Sequence, residues 1–215
     1  MKPVLQAAGN DAAFAAAQKR ASDEVVALAR YAGSRGWVPA SSGNFSARIN
    51  GDFATVTRSG GDKGALSEAG VMTAKIVEAL PDGASAETPL HLMLYRLDPA
   101  IGAVAHIHHH AGTILSRRHA RAGQLRLEGW ELQKAFAGVT THEGAIDIPI
   151  IANDQDTARL AESARAALSG LKDTYGFLVE GHGLYAWGRD ANETRRHLDA
   201  FDALFALILD SEARQ

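Results

Sequence analysis

His106 and His108 flank a single isoleucine at the end of the apolar run Ala103-Val104-Ala105. On a β-strand side chains alternate between faces, so both imidazoles project from one face. Two imidazoles on a rigid face form one edge of a metal site, or else they are two polar residues of a half-exposed strand. A third histidine stands in Glu180-Gly181-His182-Gly183. Glycines on both sides of it permit unusual backbone angles and close approach by other groups. With His106 and His108 it would complete three protein ligands and leave one position open, the layout of a catalytic rather than a structural Zn²⁺. The alternative is a turn histidine bonded to nearby carbonyls. His109 faces away if the strand continues and His110 begins the next helix, so neither is expected as a ligand. His91, His119, His142 and His197 lack a comparable setting and are expected in structural or surface positions.

Two carboxylates compete for acid/base work. Glu87 precedes Thr88-Pro89, where it could serve only as a first-turn acid of a helix. Glu131 lies in Gly129-Trp130-Glu131-Leu132-Gln133 and could equally be an exposed helix residue. Two Gly-rich turns could hold an anion. Ser42-Gly43-Asn44 offers backbone N–H groups, a hydroxyl and an amide, and Ser59-Gly60-Gly61-Asp62-Lys63 adds an ammonium. Such nests bind phosphate without a Walker motif, although each could be an ordinary surface turn. Neither G-x-x-x-x-G-K-[ST] nor a G-x-G-x-x-G after a strand occurs, so nucleotide binding has no support.

The elements that must position these groups can be read from spacing. Asp11 to Arg35 is Ala-rich with helical periodicity and is closed by Gly36. Phe45 to Ile49 and Phe53 to Thr57 are strands around an Asn50-Gly51-Asp52 turn. Val71 to Val77 is ambiguous between strand and helix. Helices are expected over 87–97, 111–119, 129–137, 154–168 and 192–209, with Asn153 or Asp154 capping the fourth. Further strands are expected at Ala103 to His108, Ile146 to Ile151, Phe177 to Glu180 and Gly183 to Trp187. Pro149 suggests an edge or a strand start for the second of these. Hairpin-like pairs recur, which favours a mixed α/β sheet over a simple parallel one.

The bulk numbers narrow the class. A chain of 215 residues, 46% hydrophobic and 22% charged, suits one globular domain over residues 1–215. A net charge of -3 gives no general attraction for nucleic acid or an anionic membrane. There is no cysteine, so disulfides and thiolate metal sites are excluded and a metal must use His, Asp or Glu. Zn²⁺ suits three imidazoles, and other divalent ions accept imidazole too. The start, Met1-Lys2-Pro3-Val4-Leu5, shows no signal peptide, and no apolar run reaches about 20 residues. A cytoplasmic location is expected.

Together the motifs resemble the class II aldolase/adducin family. The segments that carry the likeness are Ser41-Ser42-Gly43-Asn44-Phe45-Ser46, Thr57-Arg58-Ser59-Gly60, Ser85-Ala86-Glu87, Ala103-Val104-Ala105-His106-Ile107-His108 and Glu180-Gly181-His182-Gly183. They span most of the chain in the family's order. The resemblance implies a three-layer α/β/α fold with a mostly antiparallel central sheet. It implies one Zn²⁺ per subunit on His106, His108 and His182. It also implies phosphate on the turns through Ser42, Gly43, Asn44, Ser59, Gly60 and Lys63, and a homotetramer with sites between subunits. Within the family, Glu87-Thr88-Pro89-Leu90, Gly129-Trp130-Glu131-Leu132-Gln133-Lys134 and Ile148-Pro149-Ile150-Ile151-Ala152-Asn153 resemble its sugar-phosphate dehydratases, whose acid/base falls at Glu131. In its sugar-phosphate aldolases the key glutamate falls at Glu87, and this chain has both. The aldolases carry a second serine where Ala86 stands. A third reading is a non-catalytic, adducin-like interaction module. In the dehydratase reading, Trp130 or Phe136 would line an apolar pocket for the far end of the substrate.

Overall fold

The computed structural model describes residues 3–171 and 173–214. Met1 and Lys2, the first residues of the start read above, lie outside them. Helix α1 (Pro3–Ser34) begins before Asp11. Its residues Ala21, Val25, Leu28, Ala29 and Ala32 recur at three- and four-residue steps and are all buried, forming one apolar stripe. At its end Gly36 takes φ +72 and donates to Gly33 O, while Trp37 N–H reaches back to Ala32 O. This paired closure needs a left-handed residue, which is why glycine stands there.

Eight strands follow: β1 (Asn44–Arg48), β2 (Phe53–Thr57), β3 (Val71–Lys75), β4 (Ala103–Ile107), β5 (Gln124–Leu127), β6 (Ile146–Ile151), β7 (Gly176–Val179) and β8 (Gly183–Gly188). They form one sheet in the order β3-β2-β1-β4-β8-β7-β6-β5. Neighbours pair antiparallel except β6 with β7. Helices α2 (Thr88–Leu97) and α4 (Thr157–Leu168) pack on one face of the sheet. Helices α1, α3 (His110–Arg118) and α5 (Ala191–Glu212) cover the other. The fold is a three-layer α/β/α sandwich with a mostly antiparallel sheet. Because both faces are covered, central β4 is buried throughout. Ala103, Ala105 and Ile107 face α1 and α5, and Val104 and His106 face α2 and α4.

Several expectations need correction. The stretch 129–137 is not an α-helix but a 3-10 turn over Glu131–Ala135, because Gly129 and Gly138 take φ +78 and +79 and end any helix there. Strand β5 was not expected; its alternating exposed and buried pattern covers only four residues. Strand β6 is not at an edge. Ile150 N–H donates to Gly123 O on the β5 side, so the Pro149 nitrogen faces β7, whose pairing begins only at Ile150. Helix α4 starts at Thr157 and is capped by Asp156, which accepts from Ala158 N and Arg159 N, rather than by Asn153 or Asp154. The ambiguous stretch after Val71 is a strand.

Candidate metal centre and active site

Strand β4 delivers His106 into the sheet and His108 one residue beyond the strand end. There His108 N–H donates to Trp37 O at 2.9 Å. His182 sits in the three-residue turn between β7 and β8, which pair from Val179 to Gly183. Gly181 in that turn takes φ +64. A Cβ at Gly183 would lie 2.3 Å from Ile107 O and 3.0 Å from His106 Cε1, so only glycine lets β8 close against β4 there. Helix α3 pins the turn: Gly181 N donates to Ser116 Oγ, and Thr113 Oγ1 donates to His182 O. The three imidazoles thereby meet, with ring centroids 4.7–5.0 Å apart.

Each ring turns one nitrogen toward the others, all within 4.8 Å. His108 and His182 face each other through Nε2 at 3.1 Å. His106 Nδ1 lies 3.1 Å from Leu184 O, so its ring proton belongs on Nδ1. Its Nε2 is buried without a hydrogen bond. Burial, followed by the neighbouring His182 and His108, pushes His106 well below its ordinary pKa; burial and then His182 push His108 down. Three imidazole nitrogens turned to one point fit a divalent cation.

Glu87 stands at the N-cap of α2 but does not cap it. Its carboxylate turns instead to the triad, 3.3 Å from His106 Nε2 and 3.2 Å from His182 Nε2. Asn44 Nδ2 holds its Oε2 at 2.6 Å. The segment before it is tied to the end of β2, since Ser59 N donates to Gly83 O and Ser85 N to Thr57 O. Glu87 is thus bound to the same sheet edge as the two Gly-rich turns.

Both turns line one cavity of about 360 Å³ with His108 and His182. Its walls include Ser42, Gly43, Asn44, Ser59, Gly60, Lys63, Glu87, His108 and His182. Gly43 takes φ +77, and a Cβ there would lie 2.7 Å from His106 O. The preceding Ala40 and Ser41 hold left-handed backbone, at φ 53 and 63, a strain of about 1–3 kcal/mol each. Lys63 is 2% exposed; burial lowers its pKa, and its ammonium donates to Gly61 O at 2.6 Å. Ser42 Oγ and Asn44 Oδ1 are buried without partners. A buried ammonium and an unused Ser42 hydroxyl, both donors, suit an anion. The cavity also takes in Ser85, Asn153, Asp154, Gln155 and Thr157, which sequence reasoning missed. Their signal was position, since residues 153–157 follow the carboxyl end of β6 beside its parallel neighbour.

Glu131 is not among the residues lining this cavity. It is exposed, paired with Lys134 at 2.5 Å and His142 at 3.3 Å, and the Lys134 hydrogen bond lowers its pKa. Neither Trp130 nor Phe136 lines the cavity. Phe136 is buried against Tyr175 and Phe201, and Trp130 packs at the edge of the same core, so the expected apolar pocket is not built from them within this chain. His109 caps α3, accepting from Gly112 N, and its Nε2 meets Asp202 at 2.7 Å; His110 is exposed at the start of α3.

Residues 23–209 match the family described as Class II Aldolase and Adducin N-terminal domain. The chain belongs to this family. Among curated class II aldolase relatives it is 55% identical to the methylthioribulose-1-phosphate dehydratase of Parvibaculum lavamentivorans, over 90% of this chain and 95% of the relative. It is 46% identical to the enzyme of that name from a Bradyrhizobium species, over 88% and 90%. Among solved structures of the fold, L-fuculose-1-phosphate aldolase from Thermus thermophilus superposes with a TM-score of 0.74 at 22% identity, covering 92% of this chain and 98% of that one.

Proposed function

We propose that the chain is a hydro-lyase that removes water from 5-methylthioribulose 1-phosphate, giving 5-methylthio-2,3-dioxopentyl phosphate, in methionine salvage. The observation that carries this is the convergence of three imidazoles, two of which line, with Glu87, a cavity walled by two Gly-rich turns, in a chain 55% identical to a dehydratase of that substrate. His106, His108 and His182 would hold one Zn²⁺. The ion supplies Lewis acidity that makes a proton beside the substrate carbonyl easier to remove. Ser42, Gly43, Asn44, Ser59, Gly60 and Lys63 bind the phosphate, which fixes the reacting carbons by remote binding.

Glu131 takes the proton from C3, and the same proton leaves with the C4 hydroxyl as water. The resulting enol tautomerises to the 2,3-diketone. Since Glu131 lies off the cavity of its own chain, it reaches the triad from an adjacent copy in a homotetramer with sites between subunits. Glu87 stays beside His106 and His182, held by Asn44. The protein works on a small sugar phosphate in the cytoplasm as one domain of the family over residues 1–215, with no nucleic-acid or membrane partner. Among the described residues no helix is long and apolar enough to cross a membrane.

One observation favours a second reading, a sugar-phosphate aldolase. Glu87 occupies the place against the triad where that chemistry needs its base. An adducin-like interaction module has less support, because it has no need of a converged triad. Incubating the zinc-loaded protein with 5-methylthioribulose 1-phosphate and reading products by mass separates the enzymes. Loss of one water, abolished by chelation, supports the dehydratase. Release of a three-carbon ketose phosphate and an aldehyde means aldolase.

A further inference from the structure

We propose that Tyr185 is a positioning residue for the site, fixing the plane of His106 through its ring. The inference rests on the metal-dependent reading above. Tyr185 lies on β8 directly opposite His106 on β4 and opposite Phe177 on β7. The three rings form a ladder across adjacent strands. Tyr185 stacks on the His106 imidazole at 4.2 Å and 19°, and on Phe177 at 4.7 Å and 8°. Because the sheet carries both backing rings, the His106 ring cannot tilt without unstacking the ladder.

Tyr185 is fully buried, so its ring is held in place by the packing around it. Behind Tyr185, His91 meets it edge-on at 5.8 Å and is tied through Ser46 to Tyr95. The ring thus rests on a buried polar cluster rather than on packing alone.

Two variants separate the ring from the hydroxyl. Tyr185→Phe keeps the ladder and removes the hydroxyl; Tyr185→Leu removes both. Co²⁺ affinity, read from the visible absorption of the cobalt-loaded protein, reports the His106 role without turnover. It is expected to fall at least about tenfold for Tyr185→Leu and less than about threefold for Tyr185→Phe, by analogy with other residues that orient metal ligands. Equal Co²⁺ affinity in wild type and Tyr185→Leu, or an equal loss in both variants, overturns the proposal. If the wild-type protein turns over no sugar phosphate, the proposed reaction fails, and the cobalt comparison still decides whether the ring orients His106.

Discussion

Glu87 and Glu131 stand in opposite surroundings. Glu87 is half-buried, bonded to Asn44 and within 3.3 Å of two imidazoles. Glu131 is 70% exposed at its side chain and is held by Lys134 and His142 on a 3-10 turn after edge strand β5, three strands away from β8. The difference teaches how the site is divided. The histidine triad is built from the centre of the sheet, where β4 pairs with β1 on one side and β8 on the other. The second carboxylate rides on an exposed turn that does not line the cavity of its own chain. Preorganisation is needed most where ligands must converge to within tenths of an ångström, and the sheet centre provides it.

Breaking each carboxylate in turn sharpens the contrast. Glu131→Gln should keep full zinc content and an unchanged melting temperature while kcat falls by about 10²–10⁴, the range for loss of an acid/base group. Glu87→Gln should instead disturb metal affinity along with activity. Atomic absorption beside steady-state kinetics distinguishes them; zinc loss in Glu131→Gln would erase the distinction.

The phosphate wall lines the same cavity as Glu87. Replacing Lys63 by methionine removes the buried ammonium and keeps the stem. KM for the sugar phosphate should rise by about tenfold or more, as expected for a charged hydrogen bond worth about 1.5–3 kcal/mol. Competitive inhibition by inorganic phosphate should weaken in parallel. Unchanged inhibition would remove Lys63 from the phosphate site.

A third carboxylate calibrates both. Glu193 is buried at the start of α5 and bonded to Arg189, which holds its pKa down to about 2. Because the folded value lies below the unfolded one, this contribution to stability is present above the ordinary value of 4.5 and is lost as pH falls from there through about 2. Glu193→Gln should lower the melting temperature at neutral pH by a few degrees, roughly 1–2 kcal/mol. The deficit should vanish in melts near pH 2, with kcat and zinc content unaltered at neutral pH. A deficit that persists in acid would contradict the sign.

Much of the fold was legible because it rests on local physics. The His-x-His strand, the β1–β2 hairpin and the long terminal helices follow from alternation, turn residues and helical periodicity. The His106/His108 pair was legible for the same reason, whereas the meeting with His182 came from the family resemblance, because it depends on β4 and β8 being neighbours in the sheet. The region around Glu131 was not legible. Trp130-Glu131-Leu132-Gln133 has the composition of a helix, but the glycines at 129 and 138 leave too few residues to propagate one. Asn153 and Asp154 of the cavity wall were read as helix-cap candidates because a cap and a ligand loop use the same polar residues. Pro149 was misplaced because which neighbour its nitrogen faces depends on register, which no single strand reveals.

The most direct test of this division mixes two inactive proteins. His106→Ala lacks a metal ligand and Glu131→Gln lacks the acid/base. Each is expected to be inactive alone, and the two should be unfolded together, refolded in equal amounts and assayed. If Glu131 serves a neighbour's metal, half the sites keep intact histidines and half of those face an intact Glu131, so about a quarter of wild-type activity returns. If both groups must lie on one chain, no mixed assembly contains a complete site. The mixture would then stay as inactive as its parts, and the account would be wrong.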